Sequence, residues 1–445
     1  MHFRRTALIA AMAIALGATG AEAQEQRQKF NWWYGLSGQL GEVMQQYCRN
    51  FNASQTEFEI VCTGQGEYQD ALQNTIAAFR AKAHPTIVQV YDVGTTDLML
   101  SGQYVPAREL MAQNGYTVKW DNYISSIGNY YATSKGEMLS FPFNSSTAVM
   151  YWNRDAYRAV GQEAPPATWQ QVERAVRALK AQGHACPMAI DFDSWQHWEQ
   201  FNAIHNLPMA TKGNGFGGLD AEIRIAPLFR QHANTLYNWY KEGLIQVRTR
   251  QGGRNLPESF ASGDCAMMMS SIANHAAITR TQKQGLDWTP AMLPLYEGHS
   301  RTNSMVGGAS LWVLKGRPAE EYKGAAAFLN FIAQPQQELF MAQNTGYIPV
   351  TRAGYEGIKA SGFYDRPENR GRDIAVESLL ATEPTENSRG LRLGNFMQVR
   401  ALYASEMQAA FAGQKTVDQA LDAIESEGNK LLRRFEQTYR GKSLP

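Results

Sequence analysis

Between Phe30 and Tyr91 the apolar residues alternate between two spacings, and this alternation narrows the fold more than any other feature of the chain. Phe30-Asn31-Trp32-Trp33-Tyr34 is a strand-like run closed by Gly35. Leu40, Val43, Met44, Tyr47, Cys48 and Phe51 follow at the three-and-four spacing of one helix face. Phe58, Ile60 and Cys62 then alternate with Glu59 and Val61, as in a strand. Tyr68 to Lys82 predicts a second helix with Leu72, Ile76, Ala77 and Phe79 inward, and Thr86 to Tyr91 a third strand. A β-α-β-α-β opening of this kind predicts a parallel sheet covered by helices on both faces.

A second α/β region begins after Pro142. Ala148 to Trp152 reads as a strand, and Pro165-Pro166 as a connection. Thr168 is a good N-cap for a helix from Trp169 to Gln182. Cys186 to Ile190 and Cys265 to Ser270 are further strands. A long helix runs from Thr416 to Tyr439 with Val417, Leu421, Ile424, Leu431 and Phe435 on one side. No repeat and no low-complexity linker separates the regions, so the chain is expected to cross between two α/β lobes more than once. Open α/β sheets bind ligands outside the carboxyl ends of their strands. Two facing lobes therefore put the site in the cleft between them.

With 445 residues, 44% hydrophobic and 19% charged, the chain has enough apolar material for large cores. That excludes a disordered chain, a coiled coil and a small disulfide scaffold. Residues 1–23 read MHFRRTALIAAMAIALGATGAEA. Arg4 and Arg5 precede a short apolar stretch from Ala7 to Ala18, and Ala21-Glu22-Ala23 is a small-x-small cut site. This is the pattern of a secretory leader cut after Ala23. The apolar stretch falls short of the roughly 20 residues that span a bilayer. No cysteine follows the cut to carry a lipid. The formal charge of +1 falls to zero once Arg4, Arg5 and Glu22 leave. A neutral mature chain does not suit nucleic-acid binding, which needs a basic surface. The expectation is a periplasmic monomer whose mature chain does not insert into a membrane.

Cys48, Cys62, Cys186 and Cys265 form no C-x-x-C pair. An even count in an oxidising compartment permits two disulfides. Cys186 and Cys265 each open an apolar run. If those runs are neighbouring parallel strands, their starts share one sheet edge and a bridge is possible. Cys48, near a helix end, and Cys62, near the next strand's end, are expected to differ in height by about 10 Å. That is too far for a bridge.

Local motifs do not build a catalytic centre. Gly213-Asn214-Gly215-Phe216-Gly217-Gly218 fits G-x-G-x-x-G, but no strand precedes it and a strand-like Ala221 to Ala226 follows, so it reads as a glycine-rich loop. Gly441-Lys442-Ser443 ends like a P-loop, yet the first glycine of that motif falls on Glu436. His197 and His205 diverge around a helix axis, and no H-E-x-x-H or G-x-S-x-G is present. No cofactor and no metal are expected. Trp195 stands just after a strand, where a residue lining a cleft would be.

Several segments together resemble a known family. They are Phe141-Pro142-Phe143-Asn144-Ser145-Ser146-Thr147, Gly263-Asp264-Cys265-Ala266-Met267, Gly307-Gly308-Ala309-Ser310-Leu311-Trp312-Val313, Thr345-Gly346-Tyr347-Ile348-Pro349 and Gly390-Leu391-Arg392-Leu393-Gly394-Asn395. From about Trp32 to the C-terminal helix the chain resembles the periplasmic substrate-binding components of ABC importers for sn-glycerol 3-phosphate and glycerophosphodiesters, within solute-binding protein family 1. The resemblance implies a two-lobed periplasmic-binding-protein fold with a mainly parallel sheet in each lobe. Residues 24–143 plus 303–350 would form the N-terminal lobe, and 144–302 plus 351–445 the C-terminal lobe. It implies a non-enzymatic receptor that closes on a small phosphorylated ligand and delivers it to an inner-membrane permease. It also implies ligand contacts from Tyr68, Ser146, Ser271, Gly308, Tyr347 and Arg400, with Trp195 as a cleft tryptophan. The family's glutamate after Val-Tyr is Asp92 here, one methylene shorter.

The residue chemistry fits those roles. A planar guanidinium such as Arg400 can give a phosphate two hydrogen bonds. Serine hydroxyls and backbone N–H groups complete such a shell, and Gly308 lets backbone approach closely. Asp92 can accept from vicinal hydroxyls, and its shortness leaves room that favours a diester such as glycerophosphocholine. Tyr68, Tyr347 and Trp195 supply walls, which could also face a choline cation. Two rival readings stand beside this one: a sugar receptor on the same fold, which needs no Arg400, and a periplasmic phosphodiesterase, which needs metal ligands or a base in the cleft.

Overall fold

The computed structural model describes residues 27–249 and 255–445. The leader expected over residues 1–23 lies outside the described residues. The strands are β1 (Gln28–Tyr34), β2 (Phe58–Gly64), β3 (Ile87–Tyr91), β4 (Tyr104–Val105), β5 (Phe141–Ser146), β6 (Ala148–Asn153), β7 (Met188–Ile190), β8 (Ile245–Val247), β9 (Met267–Ser271), β10 (Trp288–Ala291) and β11 (Gly307–Leu314).

They form two sheets. The first has the order β2-β1-β3-β11-β4, with β5 also paired to β11. The second has the order β10-β6-β9-β7-β8. Each sheet is mixed. In the first, β1, β2 and β3 run parallel and β11 opposes its neighbours. In the second, β7, β8 and β9 run parallel, and β6 opposes β9 and β10. The parallel parts come from strand-helix-strand crossovers. The opposed strands β6 and β11 are the ones that enter a sheet where the chain passes between units, without a crossover helix to turn them parallel.

The helix Gly38–Ser54 buries Val43, Met44, Tyr47, Cys48 and Phe51, the face expected from their spacing. The helix Tyr68–Arg80 differs from expectation. It buries Ala71, Leu72 and Thr75, whereas Ile76 is 42% exposed and Ala77 is exposed too. Ala71, Thr75 and Phe79 repeat every four residues and set a narrow stripe. Ile76 lies beyond its edge on the solvent side. Thr168 caps the helix Trp169–Ala181 through a reciprocal pair with Gln171. In the long helix Val417–Thr438, Leu432 rather than Leu431 completes the buried face.

Both cysteine pairs are bridged. Cys186 and Cys265 face each other in a parallel bridge, with Cα atoms 4.6 Å apart. The Cys48–Cys62 disulfide, with Cα atoms 6.4 Å apart, overturns the expectation that heights forbid it. The helix continues past Cys48 to Ser54 and the strand begins at Phe58. Counting back from the turn, the rises place Cys48 about 9 Å up the helix and Cys62 about 13 Å up the strand, which is within reach.

Aromatic packing holds each unit together. In the first, Trp32 lies 5.4 Å from Phe328 and 5.6 Å from Phe143 between ring centroids. In the second, Trp198 stacks on Tyr403 and Phe229 at 5.7 and 5.9 Å. The first of those stacks fixes the helix Phe396–Phe411 to the segment that follows β7. Gly213 to Gly218 is a loop around the short turn Thr211–Asn214, as its flanking residues indicated. Among the described residues no helix is long and apolar enough to cross a membrane, and no three metal-ligating side chains cluster.

Candidate functional site

The carboxyl ends of β3, β5, β7 and β9 converge where the two sheets meet, and these ends carry half of the eight residues singled out by sequence. Asp92 follows β3, Ser146 ends β5, Ser271 ends β9, and Trp195 opens a π-helical turn, Trp195–Glu199, after β7. Such turns occur frequently at functional sites.

Arg400 anchors the centre. It lies one turn into the helix Phe396–Phe411 and reaches across to Asp92, with Nη2 2.5 Å from Oδ2. It also grips Glu199, with Nε and Nη2 donating at 2.8 and 2.7 Å. Asp92 is 4% exposed and Glu199 not at all. Burial would lower the guanidinium's pKa, but Asp92 and Glu199 outweigh it and hold the pKa well above its ordinary value. For Glu199, burial dominates and raises the carboxyl's pKa, although Arg400 opposes it. One cation therefore stands between two carboxylates.

Tyr68 and Tyr347 form a second cluster. Their hydroxyls lie 3.2 Å apart, and Asn144 Nδ2 donates to the Tyr68 hydroxyl at 2.7 Å. Burial pushes both phenols' pKa upward, so they act as neutral hydrogen-bonding groups. Tyr68 stacks on Tyr91, with centroids 5.4 Å apart, and Tyr91 precedes Asp92, so this wall adjoins the ionic cluster. Asn144 and Ser146 stand two apart on β5 and so share one face of the strand.

Gly308 pairs with Ser145 and Gly307 with Ser146 in the β5–β11 register. Gly308 has φ +105°, and a Cβ there would overlap the Asn144 carbonyl. Its missing side chain thus serves the close approach of β5. Trp195 lies against Gly307, where a Cβ would meet its ring. The Trp195 ring N–H is buried without a hydrogen-bond partner. Ser271 caps the turn that follows it, its Oγ accepting from the Ala273 N–H at 3.2 Å. The Tyr347 loop reaches that same turn, since a Cβ on Gly346 would overlap the Ile272 carbonyl. All eight residues therefore lie at the junction of the two sheets. Beside them is a cavity of about 680 Å³, bordered by Asp193, Gln196, Ser270, Asn274, Ala404 and Gln408.

Two residues of the site escaped sequence reasoning. Asn144 is inside the Phe141–Thr147 segment, two before Ser146, and its amide carries no motif of its own. Glu199 is four residues after Trp195, a spacing that brings both to one side of a helical turn.

A family model described as bacterial extracellular solute-binding protein matches residues 46–361. The chain belongs to the bacterial extracellular solute-binding proteins. This is a family of transport receptors, not of catalysts. Among relatives of this solute-binding protein, the sn-glycerol-3-phosphate-binding periplasmic protein UgpB of Rhizobium meliloti is 38% identical over 424 residues, covering 94% of this chain and 96% of that one. The protein of the same name from Escherichia coli O6:K15:H31 is 37% identical, covering 96% of this chain and 98% of its own. Solved structures agree on the fold. UgpB from Mycobacterium tuberculosis in complex with glycerophosphocholine has a TM-score of 0.75 at 19% identity, covering 92% of this chain and 99% of that one. The GacH receptor of Streptomyces glaucescens has a TM-score of 0.76 at 14% identity, with the same coverage.

Proposed function

We propose that this solute-binding protein is the periplasmic receptor of an ABC importer for sn-glycerol 3-phosphate, glycerophosphodiesters such as glycerophosphocholine, or both. A leader cut after Ala23 would export it. It would act as a monomer and hand its ligand to the inner-membrane permease. The observation that carries this reading is the near full-length match to the Rhizobium meliloti protein, whose name states glycerol 3-phosphate binding. Arg400 at the sheet junction supports it, since a neutral sugar needs no buried guanidinium.

In this reading the two sheet units are the lobes, approximately 24–143 plus 303–350 and 144–302 plus 351–445, with Asn144 to Ser146 going to the first because β5 pairs with β11 up to Ser146. Ligand capture is a hinge closure of one on the other. Arg400 would hold the phosphate, with the Ser146 and Ser271 hydroxyls and the Trp195 ring N–H as further donors. Asp92 would accept from the glycerol hydroxyls, and Tyr68, Tyr347 and Trp195 would wall the ligand. Gly308 would keep β5 close enough to bring Ser146 and Asn144 to the site.

Calorimetric titration of the purified mature protein, freed of carried-over ligand, with glycerol 3-phosphate, glycerophosphocholine and maltose tests this. Saturable binding of a phosphate ligand without turnover is expected. Binding of maltose alone would move the protein to the sugar receptors, and hydrolysis of glycerophosphocholine to glycerol 3-phosphate and choline, or to glycerol and phosphocholine, would make it a phosphodiesterase.

A further inference from the structure

Four of the five N–H donors of Arg400 are divided between two carboxylates. Nε and one hydrogen of Nη2 form a fork on Glu199. The remaining hydrogen of Nη2 and one of Nη1 meet Asp92, at 2.5 and 3.4 Å. A phosphate needing two parallel N–H bonds can take the Nη1–Nη2 edge or the Nε–Nη2 edge, so one carboxylate has to yield.

The two carboxylates differ in how firmly they are held. Glu199 belongs to the same unit as Arg400. Its neighbour Trp198 stacks on Tyr403, three residues along the helix from Arg400. Ser194 Oγ donates to Glu199 at 3.0 Å. Glu199 is wholly enclosed, so leaving Arg400 would strand a buried charge. Asp92 comes from the first sheet, at the start of the turn Asp92–Gly94. A movement of one unit against the other would separate Asp92 from Arg400 and leave the Glu199 fork intact.

We propose that Glu199 is a positioning residue that fixes the Arg400 guanidinium, and that an anionic ligand replaces Asp92, not Glu199, on its Nη1–Nη2 edge. This rests on the receptor reading above. The exchange substitutes one anion for another, so the guanidinium keeps two anionic neighbours throughout. It also releases the Asp92 oxygens to accept from ligand hydroxyls. Glu199 thus sets the direction in which the arginine presents its free edge, and with it the place of the phosphate.

The experiment follows the Arg400 side-chain N–H signals by NMR in ¹⁵N-labelled full-length mature protein, assigned by their loss in Arg400→Lys. In the unsubstituted protein, glycerol 3-phosphate should shift the Nη signals and leave Nε–H protected and in place. Without ligand, Asp92→Asn should leave Nε–H protected, while Glu199→Gln should speed its exchange at least tenfold. Calorimetry completes the test. Glu199→Gln should weaken glycerol 3-phosphate binding at least tenfold, but less than twofold when Arg400 is already lysine. Equal loss in both backgrounds, release of Nε–H by Asp92→Asn, or displacement of Nε–H by the ligand would overturn the inference. If the unsubstituted protein gives no heat with glycerol 3-phosphate or glycerophosphocholine, the receptor reading fails instead. The ligand-free Nε–H comparison still decides which carboxylate holds the arginine.

Discussion

Arg400 and Asp92 join the two halves of the molecule: Nη2 of a helix packed on the second unit lies 2.5 Å from Oδ2 at the carboxyl end of β3 in the first. The pair is nearly enclosed, and a second carboxylate, Glu199, holds the same guanidinium from behind. A neutral sugar would meet an arginine already satisfied by carboxylates. An anion can compete with Asp92 for it.

The resemblance implies a glutamate where this chain has Asp92, and one methylene changes how far the oxygens reach. Asp92→Glu is expected to shift the affinity ratio of glycerol 3-phosphate to glycerophosphocholine toward the monoester by threefold or more, by filling space beside the phosphate. Competitive titration of the two ligands measures the ratio. An unchanged ratio would remove Asp92 from ligand selection.

The two disulfides close loops of different size, with sequence separations of 79 and 14. Loop-closure entropy makes the larger loop worth more, about 4.5 kcal/mol against about 3 kcal/mol. Replacing Cys186 and Cys265 by serine should therefore cost about 1.5 kcal/mol more than replacing Cys48 and Cys62. Denaturant unfolding of the two double variants reads this, and the reverse order would contradict it.

The alternating periods between Phe30 and Tyr91 were enough to find the first sheet's parallel strands, because β1, β2 and the helix between them each bury one face, and the wholly buried β3 stands out as a short apolar run. The spacing argument also located Cys186 and Cys265 at one sheet edge. It failed for Cys48 and Cys62, because a few residues of helix length decide whether two cysteines stand level, and element ends are weakly encoded. Ile76 was misplaced because a narrow stripe leaves neighbouring apolar residues outside. Arg400 and Asp92 are expected from the resemblance, Arg400 five residues after the Gly390–Asn395 segment and Asp92 directly after Val90-Tyr91. Their pairing was invisible, since 308 positions separate them and only the packing of one unit on the other brings them together. Glu199 carried only a weak local signal for the same reason.

Acid should test the buried histidines. Burial lowers His205 to about 4, and its ring nitrogens are both occupied, one near the Phe201 carbonyl at 2.8 Å and the other accepting from the Tyr296 N–H at 3.0 Å. A depressed histidine pKa means the unfolded chain takes the proton first. Its stabilising contribution is then whole above about 6.5 and is lost between 6.5 and 4, up to about 3 kcal/mol. Asp97 works the other way. Burial raises it to about 7, so the folded state takes its proton first and gains stability as pH falls from 7 toward 3.8. His205→Gln should flatten the loss of stability between pH 7 and 5, and Asp97→Asn should steepen it. Thermal unfolding at the two pH values, with the same sign of change in both variants, would contradict the assignment.

Gly308→Ala places a methyl group against the Asn144 carbonyl at a backbone angle that L side chains rarely adopt. The β5–β11 register should loosen, at a cost of about 1–3 kcal/mol. Ligand affinity should fall with it, because Ser146 and Asn144 ride on β5. Unchanged unfolding and affinity would show that this pairing does not support the site.

The most direct test is calorimetric titration of Arg400→Ala beside the unsubstituted protein with glycerol 3-phosphate. Loss of a charge-assisted fork on phosphate predicts a drop of at least a hundredfold, about 3 kcal/mol, in a protein whose circular dichroism still shows the fold. Binding of glycerol 3-phosphate that survives Arg400→Ala within threefold would contradict the account.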